Sequence, residues 1–176
     1  MQPGFDLRIR TMIKALSETV MPAVDPASKA AVEQLHIVIG SLELMREQID
    51  YAHWYEVVDG RSLIALAERF AKEAGQPLGA EVDAAMAAVR EAVTRHDLTL
   101  DEQREANRQL REAVCNAIEG VLGRSDPAAA HRLTATVLDF SEEQIGRERA
   151  YVAKTNFEVF PDTLKTIRDS LTTSPY

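Results

Sequence analysis

Two carboxylates stand where apolar side chains are expected. Leu35, Val38, Leu42, Met45, Ile49, Ala52, Glu56, Asp59, Leu63, Leu66 and Phe70 follow one another at steps of three and four residues. Such steps keep side chains on one face of a helix, the face that packs. Apart from Glu56 and Asp59 the whole series is apolar, and those two are consecutive on it, beside Gly60. A charge held inside a protein needs a partner, a hydrogen bond or a ligand.

The same register carries polar groups elsewhere. Gln103 and Asn107 share the phase of Leu110 and Val114, and Gln144, Glu148 and Tyr151 share that of Leu133, Val137 and Phe140. If these helices lie side by side, their polar ends meet at one level, near Tyr51, Trp54, Tyr55, Tyr151, Phe157 and Phe160. The expected site is therefore a pocket lined by Glu56, Asn107, Glu148 and Tyr151, with His53 at its edge and Tyr51, Tyr55 and Phe160 as an apolar wall. Asn107 and Tyr151 offer donors to enclosed carboxylates. The fitting ligand is a small amphipathic molecule with a cationic or donor-rich end, or a divalent cation. The competing reading is drift: a straight helix turns about 20° per heptad against such a seam, so Glu56 rotates outward and Tyr51, Tyr55 and Val58 take the core face.

Other chemistry has thinner support. Glu33-x-x-His36 has the spacing used by carboxylate-bridged di-metal bundles, but such sites need two of these pairs and two further glutamates. His53-x-x-Glu56 has the reverse order, and His131 has no carboxylate three residues earlier. No metal ligand set is assigned, and any cofactor is unknown. His96 suits a helix C-terminus, where the dipole favours a cation. Cys115 follows Val114 in mid-helix and reads as a structural thiol; as the single cysteine it excludes an internal disulfide and a cysteine zinc cage. No nucleophile elbow, phosphate loop or dinucleotide fingerprint occurs. Gln103 to Arg108 is a charged run that reads as a solvated face.

The elements that must position these groups are helical. Strand-like alternation is nearly absent, 45% of residues are hydrophobic and 27% charged, and the class is all-α. A first helix is expected from Asp6, with Ile9, Met12, Ile13, Leu16 and Val20 on one face, stopped by Pro22. Asp25-Pro26 opens a second helix, which a break at Asp59-Gly60 interrupts before Gly75, Pro77 and Gly79 end it. A third begins near Ala80, with Val82, Ala85, Met86, Val89 and Val93 inward, and halts at His96 to Leu98. Thr99 and Glu102 then form a capping box for a helix ending at Gly123. Asp126-Pro127 opens a fourth, which runs to about Lys154 with Leu133, Val137, Phe140 and Ile145 inside and is released at Asn156. A short tail helix follows from Pro161, with Phe160, Leu164, Ile167 and Leu171 on one side.

The two interruptions lie level when counted from the turn at 75–79, which suggests a joint. The expected fold is an antiparallel up-and-down helical bundle of 26–59, 99–123 and 127–154, with 60–97 as a projecting or folded-over helical hairpin and all 176 residues in one domain. A net charge of −8 without a basic stripe argues against nucleic acid. No apolar run reaches the roughly 20 residues of a membrane span, and the first residues lack a secretory core, so a soluble cytoplasmic protein is expected. Three functional readings follow. The leading one is a non-catalytic module binding a small amphipathic ligand or a protein partner near the breaks. The others are an enzyme built on carboxylates and a histidine, with or without a di-metal site, and a structural homodimer.

Overall fold

The computed structural model describes residues 4–153 and 160–172, and within them the chain is all-helical. The helices are α1 (Phe5–Ala15), α2 (Lys29–Gln48), α3 (Ala52–Ala74), α4 (Ala80–Ala92), α5 (Leu100–Leu122), α6 (Pro127–Tyr151) and α7 (Ile167–Thr172). None of them is long and apolar enough to cross a membrane. The chain divides into two compact units, Met1–Tyr51 with Arg149–Ile167 and Ala52–Glu148 with Arg168–Tyr176.

In the first unit α1 is capped by Gly4 rather than Asp6. Asp6 instead pairs along the surface with Arg10 at 2.7 Å and with Arg46 of α2 at 3.5 Å. Only Ile9 of α1 is buried. The helix widens into a π turn over Leu16–Val20 and tightens into a 3-10 turn over Met21–Ala23, where Pro22 ends the ladder. Asp25 does not open α2 directly. Its carboxylate accepts from the Ala27 amide at 2.9 Å, forming a turn, and the helix starts after Ser28. No residue of α2 is fully buried. Leu35 and Leu42, expected deep in a core, are half-buried, while Val38 and Met45 of the same series are exposed.

The second unit holds the main core. Leu63, Leu66, Ala67 and Phe70 of α3 pack with Val82 and Val89 of α4, Leu110, Val114, Ile118 and Val121 of α5, and Leu133 and Phe140 of α6. Each such aliphatic or aromatic side chain contributes about 1.5–3 kcal/mol through burial. The seam expected on α3 is realised: Glu56, Asp59, Leu63, Leu66 and Phe70 are all buried.

The expected break at Gly60 is corrected. α3 runs unbroken through it, and the interruption falls at 49–51. Gly60 serves close approach instead: a Cβ there would lie 2.6 Å from Asn107 Oδ1 and 2.8 Å from Val89 Cγ1. The Asp-Gly pair reads as a turn in sequence, yet the missing side chain lets α4 and α5 approach α3. Gly75, at φ 66°, supplies the left-handed end of α3, and the Gln76 amide reaches the Ala71 carbonyl at 3.3 Å.

The second interruption lies where expected. Glu102 N–H donates to Thr99 Oγ1 at 3.2 Å, and Thr99 N–H donates back to Glu102 Oε2 at 2.8 Å. Asp126 caps α6 by accepting from the Ala129 amide at 2.9 Å. The inner face of α6 departs from expectation beyond Phe140. Leu133, Thr136, Phe140, Arg147 and Ala150 are buried, whereas Ile145 and Glu148 are exposed. A step of three rather than four after Phe140 turns the 143–147–150 series inward. In the tail, Ser170 and Leu171 are buried and Phe160 is exposed, so Phe160 forms no inner side. Asn156 and Phe157 lie outside the described residues.

Candidate functional site

The buried carboxylates of α3 are answered by α5. Arg104 Nε donates to Glu56 Oε1 at 2.9 Å. Asn107 Nδ2 donates both to the Glu56 carbonyl, at 2.8 Å, and to Glu56 Oε2, at 3.1 Å. One turn on, Arg111 donates to Asp59 Oδ2 at 2.8 Å. Both arginines keep part of their guanidinium in water while the carboxylates lie inside. This limits desolvation to one side of each pair and leaves the charge-assisted bonds intact. Gln103 completes the layer by donating to Asn107 Oδ1 at 3.4 Å, while its own Oε1 is buried without a partner.

The end of α6 reaches the same neighbourhood, beside Tyr55 of α3. The Tyr55 phenol titrates well above the ordinary tyrosine range, first because it is buried, then because Asp59, Glu148 and Glu56 disfavour a further negative charge; Arg147 opposes the rise. The phenol therefore stays a neutral donor at physiological pH. Tyr55 thus marks where the charges of α3 and of the α6 end converge.

Among the residues expected to line one pocket, Glu56 and Asn107 are in direct contact. Glu148 is exposed and accepts from Gln144 at 2.9 Å, yet its charge is felt at Tyr55. His53 is exposed on the first turn of α3. Tyr151 belongs to the first unit, where its backbone carbonyl accepts from Gln48 at 2.8 Å. Glu33 and His36 are both exposed on α2, and among the described residues no cluster of three or more His, Cys, Asp or Glu side chains is placed to hold a metal ion. Cys115 is exposed, not a packed structural thiol.

Sequence reasoning missed Arg147. It is only 4% exposed, and its Nη2 has no hydrogen-bond partner. Glu143, one turn earlier, has an Oε2 that is also buried and unpartnered. The signal was available in the spacing, since 140, 143, 147 and 150 continue the seam as well as 140, 144, 148 and 151 do. Residue type does not choose between the two, since Glu148 on the expected phase is charged as well. No protein-family model, curated protein or solved structure matches this chain.

Proposed function

We propose that this chain is a non-catalytic helical binding module that takes a small amphipathic ligand at the level of Tyr55. Glu56, Asn107 and Glu148 frame that site and His53 stands at its edge. The observation that carries the reading is Arg147, enclosed with an unpartnered nitrogen. Arginine cannot shed its proton, so an enclosed guanidinium calls for an anion. Glu56 and Asp59 do not meet that need, because Arg104 and Arg111 already engage them. For the same reason a carboxylate-based enzyme is the weaker reading: neither carboxylate is left as a ready base. The ligand is thus expected to bring an anionic end to Arg147, with the Tyr55 ring as part of an apolar wall. A cytoplasmic setting is part of the proposal, in keeping with the lone thiol.

The arrangement proposed for the second unit is an up-and-down bundle. Partner numbers rise together between α3 and α5, as in Glu56 with Arg104 and Asp59 with Arg111. They run oppositely between α3 and α6, as in Arg69 with Asp139 and Glu73 with Thr136. α3 and α4 form the helical hairpin about the Gly75–Gly79 turn.

Thermal melts with acetate and with inorganic phosphate test the ligand reading. A saturable rise in melting temperature is expected for the native chain and none for Arg147→Met. An equal response of both proteins would overturn it. Self-association is kept as a second reading, because Leu138 and Ile145 of α6 are exposed two turns apart on one stripe. Light scattering against concentration decides it, since a monomer at every concentration excludes a homodimer.

A further inference from the structure

Arg147 and Glu143 lie four residues apart on α6, with the glutamate first, the order that favours an ion pair across one helical turn. They do not form one. Arg147 is absent from every ion pair within 4.0 Å among the described residues, and Glu143 Oε2 is buried without a hydrogen bond. A buried guanidinium and a half-buried carboxylate thus stand one turn apart, each with a buried atom that has no hydrogen-bond partner and each of the sign the other lacks. Neighbouring carboxylates do not fill the gap. Glu148 is exposed and accepts from Gln144, while Asp59 and Glu56, whose charges meet that of Arg147 at Tyr55, accept from Arg111 and Arg104.

Resting on the binding reading above, we infer that the ligand is a small zwitterion of the α-amino-acid type. Its carboxylate lies on Arg147 and its ammonium on Glu143. An α-amino acid carries both charges on a single carbon, a separation suited to two heads projecting from adjacent turns about 5–6 Å apart at their Cβ atoms. Guanidinium and carboxylate match in planar, two-point geometry, while an ammonium offers three donors to a carboxylate. A simple anion would satisfy Arg147 but leave Glu143 unanswered and repelling it. A simple cation would do the reverse. The ligand side chain would face the Tyr55 ring.

Calorimetry on the full chain tests this with the natural α-amino acids, each beside its N-acetyl derivative and the amine lacking its carboxylate. At least one amino acid should bind, with N-acetylation or loss of the carboxylate each weakening it at least tenfold. Glu143→Gln should erase most of the penalty for N-acetylation, and Arg147→Met most of the penalty for losing the carboxylate; circular dichroism confirms that both variants remain helical. Arg147→Lys, which keeps the charge, should restore part of the binding. If the N-acetyl derivative, acetate or phosphate binds as tightly as the free amino acid, the zwitterion inference falls while the anion site stands. If none of these probes binds and Arg147→Met melts lower than the native chain, the two side chains satisfy each other in solution and both readings fall. Absence of amino-acid binding overturns the inference in every case.

Discussion

The two polar regions of the second unit use the same residue types and end differently. On α3, Glu56 and Asp59 are enclosed, and α5 supplies Arg104, Asn107 and Arg111 at hydrogen-bonding distance. On α6, Arg147 is buried and Glu143 half-buried, and Arg147 Nη2 and Glu143 Oε2 are buried without a hydrogen-bond partner. The difference teaches that a charge on a packing seam has no fixed meaning. Where a neighbouring helix offers partly solvated counter-charges, the result is a clamp that fixes the register of two helices. Where none is offered, the cost of burial persists in the free protein, the feature on which the proposed ligand site rests.

Several changes would break or sharpen this contrast. The largest effect is expected beneath the clamp. Leu110→Ala should destabilise by about 2–5 kcal/mol in denaturant unfolding, because Leu110 is fully buried directly after Asn107 on the seam. Leu42→Ala, on half-buried α2, should fall well short of that range. Equal losses would show that burial on α2 has been misjudged. Next comes the clamp itself. Asn107→Ala removes the donor to the Glu56 carbonyl and carboxylate and should cost about 1–3 kcal/mol, the usual penalty for stranding buried acceptors. Gly60→Ala belongs with it, at about 1–3 kcal/mol from overpacking against Asn107 and Val89. If Gly60→Ala were neutral, the approach of the helices would not depend on that glycine.

Arg147→Met should act in the opposite direction. Replacing an enclosed, unanswered charge by an apolar side chain of similar length should raise stability by about 1 kcal/mol or more in the free protein. A loss instead would place Arg147 in the same class as Arg104 and Arg111. The smallest effect concerns pairs wholly at the surface. A hydrogen bond from Arg108, then one from Gln109, holds Glu105 down at about 2, against an ordinary value of 4.5. A folded-state value below the unfolded one means stability that is present above pH 4.5 and lost as pH falls toward 2. Glu105→Gln should therefore flatten the acid limb of a stability–pH curve slightly, since exposed pairs are well screened. A large flattening would show these surface charges to matter more than the buried clamp.

How much of this was legible beforehand differs from residue to residue. Local rules placed the Thr99–Glu102 capping box, the Asp126 cap and the left-handed end at Gly75, because each depends on atoms only a few residues apart. Periodicity placed Glu56, Asp59, Gln103 and Asn107 on inward faces for the same reason. It could not set depth: one unbroken series runs from Leu35 to Phe70, yet α2 contains no fully buried residue while α3 buries Glu56, Asp59, Leu63, Leu66 and Phe70 of that series. Periodicity fixes a direction around the helix axis, whereas depth depends on how many neighbours stand in that direction. Gly60 failed for a related reason, since a glycine that breaks a helix and one that admits another helix look alike until Val89 and Asn107 are seen against it. Arg147 was the hardest. The step after Phe140 could be three or four, and only the tertiary structure turned Glu143 and Arg147 inward. The amino-acid sequence determined the all-α class, the helix ends at Thr99–Glu102, Asp126 and Gly75, and the polar layer on α3 and α5; packing between helices decided where α3 begins and which charges were answered.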